Sequence, residues 1–351
     1  MKLVIPEPLR AGDTVAVVSL SWGGPATLLH RYQAGKRQLE AAFGIKVIEM
    51  PHALRDAAWI AANPRARADD LHQAFADKNI KAVISSIGGD DSIRTLPFMD
   101  YDLLRANPKI FLGYSDTTTT HFALLKAGVR SYYGPAIMAG FGENGGLHAY
   151  TEAAVRAQLF APTARHVLAE NMAGWTVERL TWVEPANQTR KRSLSPSSGW
   201  RYLQGAGQHR GHLIGGCAEL IDWLRGTPVW PSDAQWQGAA LFLELSEETV
   251  SPQFLQRMLR CLAACGVLQR LSGILFARPG GGVPPETFVD YDRALMEVVV
   301  GENGLVDLPI VSNMDFGHTD PMCLLPYGAQ VEIDCDGRRV TLLEPATASA
   351  G

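Results

Sequence analysis

The pattern of hydrophobic and polar positions predicts short buried strands that alternate with amphipathic helices. Helices are expected from about residue 26 to Phe43, before the usual C-cap residue Gly44, and from Pro64, after the N-cap residue Asn63. Strands with apolar interiors, separated by helices, indicate an open, mainly parallel α/β sheet covered on both faces. The apolar runs that carry this prediction occupy residues 14–20, 46–50, 81–87 and 109–114.

The regular pattern breaks down over residues 163–205, a stretch with several tryptophans, a basic run and many Ser and Pro residues. We expect this stretch to be a crossover with a long exposed loop. A second, smaller α/β region follows and ends in a hairpin. The sequence therefore predicts an N-terminal domain over residues 1–162, a crossover over 163–205 and a C-terminal domain over 206–351.

The composition excludes some classes of protein but does not indicate which reaction, if any, the protein catalyses. The chain has 351 residues, enough for about two domains. Its 32 basic and 36 acidic residues give a net charge of −4, which argues against a general nucleic-acid binder. No apolar run approaches the roughly 20 residues that cross a bilayer. We therefore expect a cytoplasmic protein without a nucleic-acid or membrane partner.

The cysteines and histidines do not indicate a disulfide framework or a metal site. Five cysteines, an odd number without a C-x-x-C pair, fit a reducing compartment. The nine histidines are scattered, and no H-E-x-x-H motif occurs. The sequence therefore predicts neither a metal nor a cofactor.

Polar residues gather where the predicted strands end, which is where open α/β sheets bind ligands. After the strand at residues 81–87, Gly88 and Gly89 can leave backbone N–H groups facing a concavity that suits an anion or a developing oxyanion. Asp90 and Asp91 follow. The alternative interpretation is a tight turn before a helix capped by one of these aspartates.

Ser115 lies between the predicted strand at 109–114 and a helix that runs through Ala127. A serine on such a turn presents its hydroxyl above the sheet, near the positive end of the helix. The amide of Asp116 would then lie beside a tetrahedral intermediate formed at Ser115. The segment is not a G-x-S-x-G motif, because residue 117 is Thr, and Ser-Asp-Thr is also good N-cap chemistry.

Two further candidates follow strands of the second half. Glu244 ends an apolar strand, where a solvated carboxylate would be out of place, whereas Glu247 can be interpreted as an acid in the first turn of a helix. His318 lies in a Gly/Asp/Pro loop, where it could simply bond a neighbouring aspartate. A serine nucleophile needs a base and a group that orients the base. Ser115, His318 and Glu244 together therefore predict a triad at the interface between the domains.

These motifs resemble the LD-carboxypeptidase family of serine peptidases, and in particular its microcin C self-immunity branch. The family resemblance implies a homodimer, with Ser115 as the nucleophile, His318 as the general acid/base and Glu244 as its orienting partner. The amides near Gly89 and of Asp116 would form the oxyanion hole. The segments that carry the resemblance are residues 87–91, 113–118, 242–244 and 313–328.

The resemblance implies one of two small peptide-like substrates. Murein-recycling members release the terminal D-Ala of a tetrapeptide, whereas the immunity branch cleaves the bond between a C-terminal aspartyl group and a modified nucleotide. Cys217 stands where murein-recycling members more often carry Asn, which weighs against murein-type recognition. The acidic motif around Glu247 favours the immunity branch. A catalytically silent binding protein on the same scaffold is the alternative from another class.

The Trp-rich stretch also favours a nucleotide, because its aromatic rings could stack on a base and its basic residues could meet a phosphate. Each tryptophan could equally be a packing anchor. The predicted substrate contacts are Gly88, Asp90, Asp91, Trp182, Trp200 and Glu247.

Overall fold

Two mixed β-sheets form the centre of the molecule in the computed structural model, which describes residues 2–348. Met1, in the predicted N-terminal domain, and residues 349–351, in the predicted C-terminal domain, lie outside the described residues. Within residues 2–348 the strands are β1 (Thr14–Val18), β2 (Lys46–Glu49), β3 (Ile80–Ser85), β4 (Ile110–Gly113), β5 (Tyr132–Tyr133), β6 (His166–Val167), β7 (Arg201–Gln204), β8 (Gln208–Cys217), β9 (Ala239–Glu244), β10 (Gly273–Ala277), β11 (Ile310–Met314), β12 (Leu325–Pro326), β13 (Gln330–Asp334) and β14 (Arg339–Leu342).

Helices cover these sheets and connect their strands. In the same range they are α1 (Gly24–Thr27), α2 (Leu29–Phe43), α3 (Ala57–Ala62), α4 (Pro64–Ala76), α5 (Tyr101–Ala106), α6 (Thr118–Ala127), α7 (Ala149–Val155), α8 (Ala218–Leu224), α9 (Asp233–Trp236), α10 (Pro252–Ala264) and α11 (Phe288–Met296). No helix among the described residues is both long enough and apolar enough to span a bilayer.

The first sheet has the strand order β12-β5-β4-β3-β1-β2. Strands β2, β1, β3, β4 and β5 run parallel, and β12 adds an antiparallel edge. β1, β3 and β4 are buried along almost their whole length, as expected for strands with helices on both faces. The edge strand β12 comes from the C-terminal part of the chain, so the first sheet includes both halves.

The second sheet has the order β6-β14-β13-β8-β9-β10-β11-β7. Its central strands β8 to β11 run parallel, and antiparallel strands flank them on both sides. The edge strands β6 and β7 lie in the stretch 163–205, which the sequence predicted to be irregular. Two sheets in two α/β units confirm the predicted architecture.

Local sequence signals explain most helix ends. α2 begins at Leu29 rather than residue 26, because Leu28 has a non-helical backbone (φ −132°), and it ends at Gly44 with φ 66°. Ser251 caps α10 by accepting a hydrogen bond from the backbone N–H of Phe254. Because α10 starts only at Pro252, Glu247 lies in the preceding loop. Its interpretation as a first-turn acid is therefore wrong.

Candidate active site

Ser115 lies on the turn between β4 and α6 and has a left-handed backbone conformation, with φ 61°. This conformation is uncommon outside glycine and must be held by its surroundings. Two hydrogen bonds hold it: Thr118 donates its hydroxyl to the Ser115 carbonyl at 2.7 Å, and the Ser115 N–H donates to the Tyr133 hydroxyl at 2.9 Å. The turn leaves Ser115 lining a cavity.

The structure brings the three residues of the predicted triad together. His318 Nε2 lies 3.1 Å from Ser115 Oγ, and His318 Nδ1 lies 2.6 Å from Glu244 Oε2. Glu244 is fully buried at the end of β9, and His318 lies in the loop after β11. Gly317 has φ 81°, and a Cβ there would come within 2.6 Å of the Glu244 Cβ. Only glycine therefore lets this loop pack over the carboxylate.

Tyr133 connects the nucleophile to the carboxylate, a role the sequence did not indicate. Its hydroxyl donates to Glu244 Oε1 at 2.5 Å and accepts the N–H of Ser115. Burial, together with the charge of Glu244, raises the pKa of Tyr133 well above its usual value, so the phenol stays a proton donor. β5 contains only two residues, too short for a recognisable pattern.

Gly88 and Asp116 flank the Ser115 hydroxyl. A Cβ on Gly88 would lie 3.1 Å from Ser115 Oγ and 3.5 Å from the amide nitrogen of Asp116, so glycine allows a close approach of backbone to nucleophile. The buried carboxylate of Asp116 accepts the N–H of Ser92 at 2.8 Å and that of Asp91 at 3.1 Å. These bonds hold the Asp116 backbone beside Ser115. The oxyanion role of Asp116 and the neighbouring Gly89 stays a prediction.

His318 is placed between two carboxylates. Its Nε2 also lies 3.0 Å from Glu247 Oε2. Burial disfavours a charge on the ring, but Glu244 and Glu247 outweigh it and raise the pKa of His318 well above its usual value. The hydrogen bond to His318 in turn lowers the pKa of Glu247 to about 2.

A cavity of about 870 Å³ opens over this constellation. Its walls include two indole rings, those of Trp22 and Trp182, and the phenol of Tyr114. The sequence singled out Trp182 but missed Trp22, which follows β1 without a distinguishing motif. The residues of the predicted site that line the cavity are Gly88, Gly89, Ser115, Trp182, Glu247 and His318.

Three predicted substrate contacts lie outside the cavity walls. Trp200 is only 3% exposed, and its indole N–H donates to Asp315 at 2.7 Å, so it is a packing anchor. Asp91 forms an ion pair with Arg67 at 3.3 Å. Asp90 is exposed and is not among the residues that line the cavity. None of these three side chains lines the cavity, so the walls of the cavity do not support their predicted contact with a ligand.

Charged side chains of both signs line the cavity. Arg31 is buried beneath Trp182, with its guanidinium carbon 4.4 Å from the ring centroid, and burial lowers the pKa of Arg31 to about 10. Arg192 pairs with Asp320 at 2.6 Å. The sequence pattern missed Arg31, because nothing in it shows which face of α2 meets the cavity. Arg192 belongs to the basic run of the crossover, whose side chains were expected to meet a phosphate. The charged residues lining it are Arg31, Glu178, Arg179, Arg192, Glu247 and Asp320.

Cys217 ends β8 opposite Glu244 in the sheet and is fully buried outside the cavity lining. Its thiol contacts the carboxylate of Glu219 at 3.4 Å. Burial and the nearby carboxylates raise the pKa of the Cys217 thiol well above its usual value. The residue is therefore a protonated, packed thiol. Among residues 2–348, no group of three or more His, Cys, Asp or Glu is placed to hold a metal ion.

Family models match a large part of each half of the chain, and curated relatives align over nearly all of it. The model of the LD-carboxypeptidase N-terminal domain matches residues 15–134, and that of the C-terminal domain matches residues 210–333. A Streptomyces coelicolor protein named "Putative carboxypeptidase" is 30% identical and aligns over 100% of this chain and 99% of its own. The Escherichia coli microcin C7 self-immunity protein MccF is 28% identical (97% and 96%), and a Bacillus subtilis "Probable murein peptide carboxypeptidase" is 27% identical (94% and 91%).

Solved structures show the same architecture. An MccF-like protein from Streptococcus pneumoniae in complex with AMP superposes with a TM-score of 0.81 at 29% identity, covering 94% of this chain and 98% of the other. MccF in complex with aspartyl sulfamoyl adenosine superposes with a TM-score of 0.85 at 26% identity, covering 98% and 100%. The chain belongs to the LD-carboxypeptidase family of serine peptidases.

Proposed function

We propose that this serine peptidase hydrolyses the amide-type bond between a C-terminal aspartyl group and a modified nucleotide, as in microcin C and related aminoacyl-nucleotide toxins. The observation that carries the proposal is the chain of contacts from Ser115 through His318 to Glu244 at the wall of a cavity that also contains two indole rings. Ser115 is the nucleophile, His318 the general acid/base and Glu244 its orienting partner.

The reaction follows from this arrangement. Ser115 Oγ attacks the scissile carbonyl carbon while its proton passes to Nε2 of His318, and Glu244 stabilises the resulting imidazolium. The carbonyl oxygen becomes an oxyanion beside the amides of Gly89 and Asp116. Collapse of the intermediate breaks the C–N bond, and His318 returns the proton to the leaving nitrogen. Water then repeats these steps on the acyl-enzyme and releases the acid.

The composition of the cavity supports a nucleotide on the leaving-group side. Trp182 and Trp22 offer aromatic faces on which a base can stack. Arg179 supplies a cation at the cavity wall for a phosphate or sulfamate group, and Arg31 stabilises Trp182 from below. The AMP and aspartyl sulfamoyl adenosine bound by similar proteins have this chemistry.

Product analysis by mass spectrometry tests the proposal. Purified protein is incubated with aspartyl sulfamoyl adenosine and, separately, with L-Ala-γ-D-Glu-diaminopimelate-D-Ala. We expect cleavage of the nucleotide compound and no cleavage by Ser115→Ala. Activity that survives Ser115→Ala would overturn the mechanism.

The second candidate is a murein tetrapeptide LD-carboxypeptidase, which the similarity to the Bacillus subtilis protein supports. Cleavage of the tetrapeptide alone would establish it in place of the nucleotide hydrolase. If neither compound is cleaved and Ser115→Ala binds ligand as the wild type does, the chain is a binding protein on this scaffold.

A further inference from the structure

Both ring nitrogens of His318 face a carboxylate. Nδ1 lies 2.6 Å from Glu244, and Nε2 lies 3.0 Å from Glu247, as close as its 3.1 Å contact with Ser115 Oγ. A neutral imidazole has one N–H, so it would direct a lone pair at one of these two carboxylates. Both contacts are favourable when each nitrogen carries a proton, that is, when the ring is an imidazolium.

An imidazolium cannot accept the proton of Ser115, so in this charge state the constellation is in its acid form. General-base catalysis requires Nε2 without a proton and directed at the serine hydroxyl. Glu247 and Ser115 thus compete for the same nitrogen. The role of Glu244 is different, because it contacts only Nδ1 and leaves Nε2 free for the reaction.

The two carboxylates also differ in their freedom to move. Glu244 is fully buried and held by Tyr133, whereas the Glu247 side chain is 57% exposed in the loop between β9 and α10. The guanidinium of Arg179 in the cavity wall also attracts Glu247 and helps to lower the pKa of this carboxyl. Glu247 can therefore leave His318 for solvent without stranding a buried charge.

We propose that Glu247 is a positioning residue that keeps His318 in its acid form in the free protein and withdraws from Nε2 when substrate occupies the cavity. The proposal rests on the proposed function, since it concerns the same serine and histidine. Its physical basis is that a scissile carbonyl placed against Ser115 can react only when Nε2 faces the serine.

Other charged and titratable groups around His318 do not replace Glu247. The Tyr114 ring lies 4.9 Å from the imidazole, and burial raises its pKa well above the usual value, so it stays neutral. Asp320 pairs with Arg192, whose guanidinium it shares with Glu143, and forms no ion pair with His318 among residues 2–348. The groups that face His318 from the surrounding elements are Tyr114, Ser115, Glu244 with Tyr133 behind it, Glu247 with Arg179, and Asp320 with Arg192.

Nuclear magnetic resonance of the histidine rings tests the proposal in the free protein. The His318 signals are assigned by comparison with His318→Asn. We expect both nitrogens of wild-type His318 to be protonated at pH 7, and Glu247→Gln to lower the apparent pKa by about one unit or more. Glu248→Gln is the matched control, because Glu248 is on the same loop and its side chain makes no hydrogen bond or ion pair among residues 2–348. The control should titrate as the wild type does.

The rate at which a fluorophosphonate labels Ser115 gives the chemical consequence. On acidification the labelling rate falls as His318 becomes protonated, and we expect Glu247→Gln to shift this fall to lower pH. In the pH range where the wild-type rate has already fallen, the variant should be labelled about tenfold faster than the wild type. A neutral His318 in the wild type at pH 7, or equal titration of wild type and Glu247→Gln, would overturn the proposal. Neither measurement uses the natural substrate, so a wrong substrate assignment would leave both results interpretable. Loss of labelling in Ser115→Ala checks the nucleophile separately.

Discussion

Replacing Tyr133 by Phe should weaken catalysis without removing any group that reacts. The Tyr133 hydroxyl donates to Glu244 and accepts the N–H of Ser115, so it connects the orienting carboxylate to the backbone of the nucleophile. Phe keeps the ring and its contacts with Phe242 and His121. The substitution therefore isolates one hydroxyl and its two hydrogen bonds.

The magnitude follows from the burial and charge of these bonds. A hydrogen bond to a charged group contributes about 1.5–3 kcal/mol, and both partners here are buried. Without the hydroxyl, Glu244 and the Ser115 backbone are no longer held in the geometry that the transition state needs. If this misplacement costs the transition state a comparable free energy relative to the free enzyme, kcat/KM falls by about 10- to 100-fold. The free energy of unfolding should fall by about 2 kcal/mol, because Glu244 and the Ser115 N–H each lose a partner.

Tyr132→Phe is the matched control for this prediction. Tyr132 is adjacent, equally buried, and donates its hydroxyl at 2.8 Å to the carbonyl of Ala346, away from the triad. It should lose about 1 kcal/mol of stability and keep the wild-type kcat/KM. The assay measures kcat/KM on aspartyl sulfamoyl adenosine and urea unfolding for both variants. Equal kcat/KM in Tyr133→Phe and Tyr132→Phe would refute the assigned role of Tyr133.

Three further predictions test the cavity and its support. Trp182→Ala should raise KM for an aminoacyl nucleotide by about 10- to 100-fold, as expected for a lost base stack. Trp200→Ala should lower the melting temperature and leave KM unchanged. Equal effects of the two substitutions on KM would contradict the assignment of Trp182 to the substrate and of Trp200 to packing. Asp315→Ala should lower the free energy of unfolding in urea by about 3–5 kcal/mol, because it leaves the fully buried Arg278 unpaired; a loss below about 1 kcal/mol would contradict the role of the pair. Incubation with EDTA should leave kcat unchanged, since the proposed triad needs no metal; inhibition that zinc reverses would argue against that mechanism.

The sequence was informative wherever a functional side chain directly follows an apolar strand. Glu244 could be selected because a solvated carboxylate is out of place at the end of an apolar strand. Ser115 and His318 each had a plain alternative, and only the combination of the three residues indicated a triad. The parallel strand order then places the carboxyl ends of several strands at one edge. The predicted pattern of buried runs also gave the central strands of both sheets, because strands buried on two faces are apolar throughout.

The remaining features depend on tertiary contacts that no local pattern encodes. Trp182 and Trp200 belong to the same irregular stretch, yet one lines the cavity and the other packs against Asp315. Tyr133 lies on a two-residue strand whose existence depends on its neighbours β4 and β12. Glu247 is a different case, because Ser251 and Pro252 mark the start of α10 locally; what the sequence did not show is the contact of Glu247 with His318.

The two halves of the molecule are joined through the active site itself. β12 from the C-terminal half pairs with β5, and Tyr133 on β5 donates to Glu244 in the second sheet. Opening the interface would break this bond and leave a buried carboxylate without its donor, which is costly. Substrate access therefore depends on the loops that line the cavity rather than on separation of the sheets. One of these loops carries Glu247, so the residue that we propose to set the charge of His318 lies in the wall of the cavity that the substrate must enter.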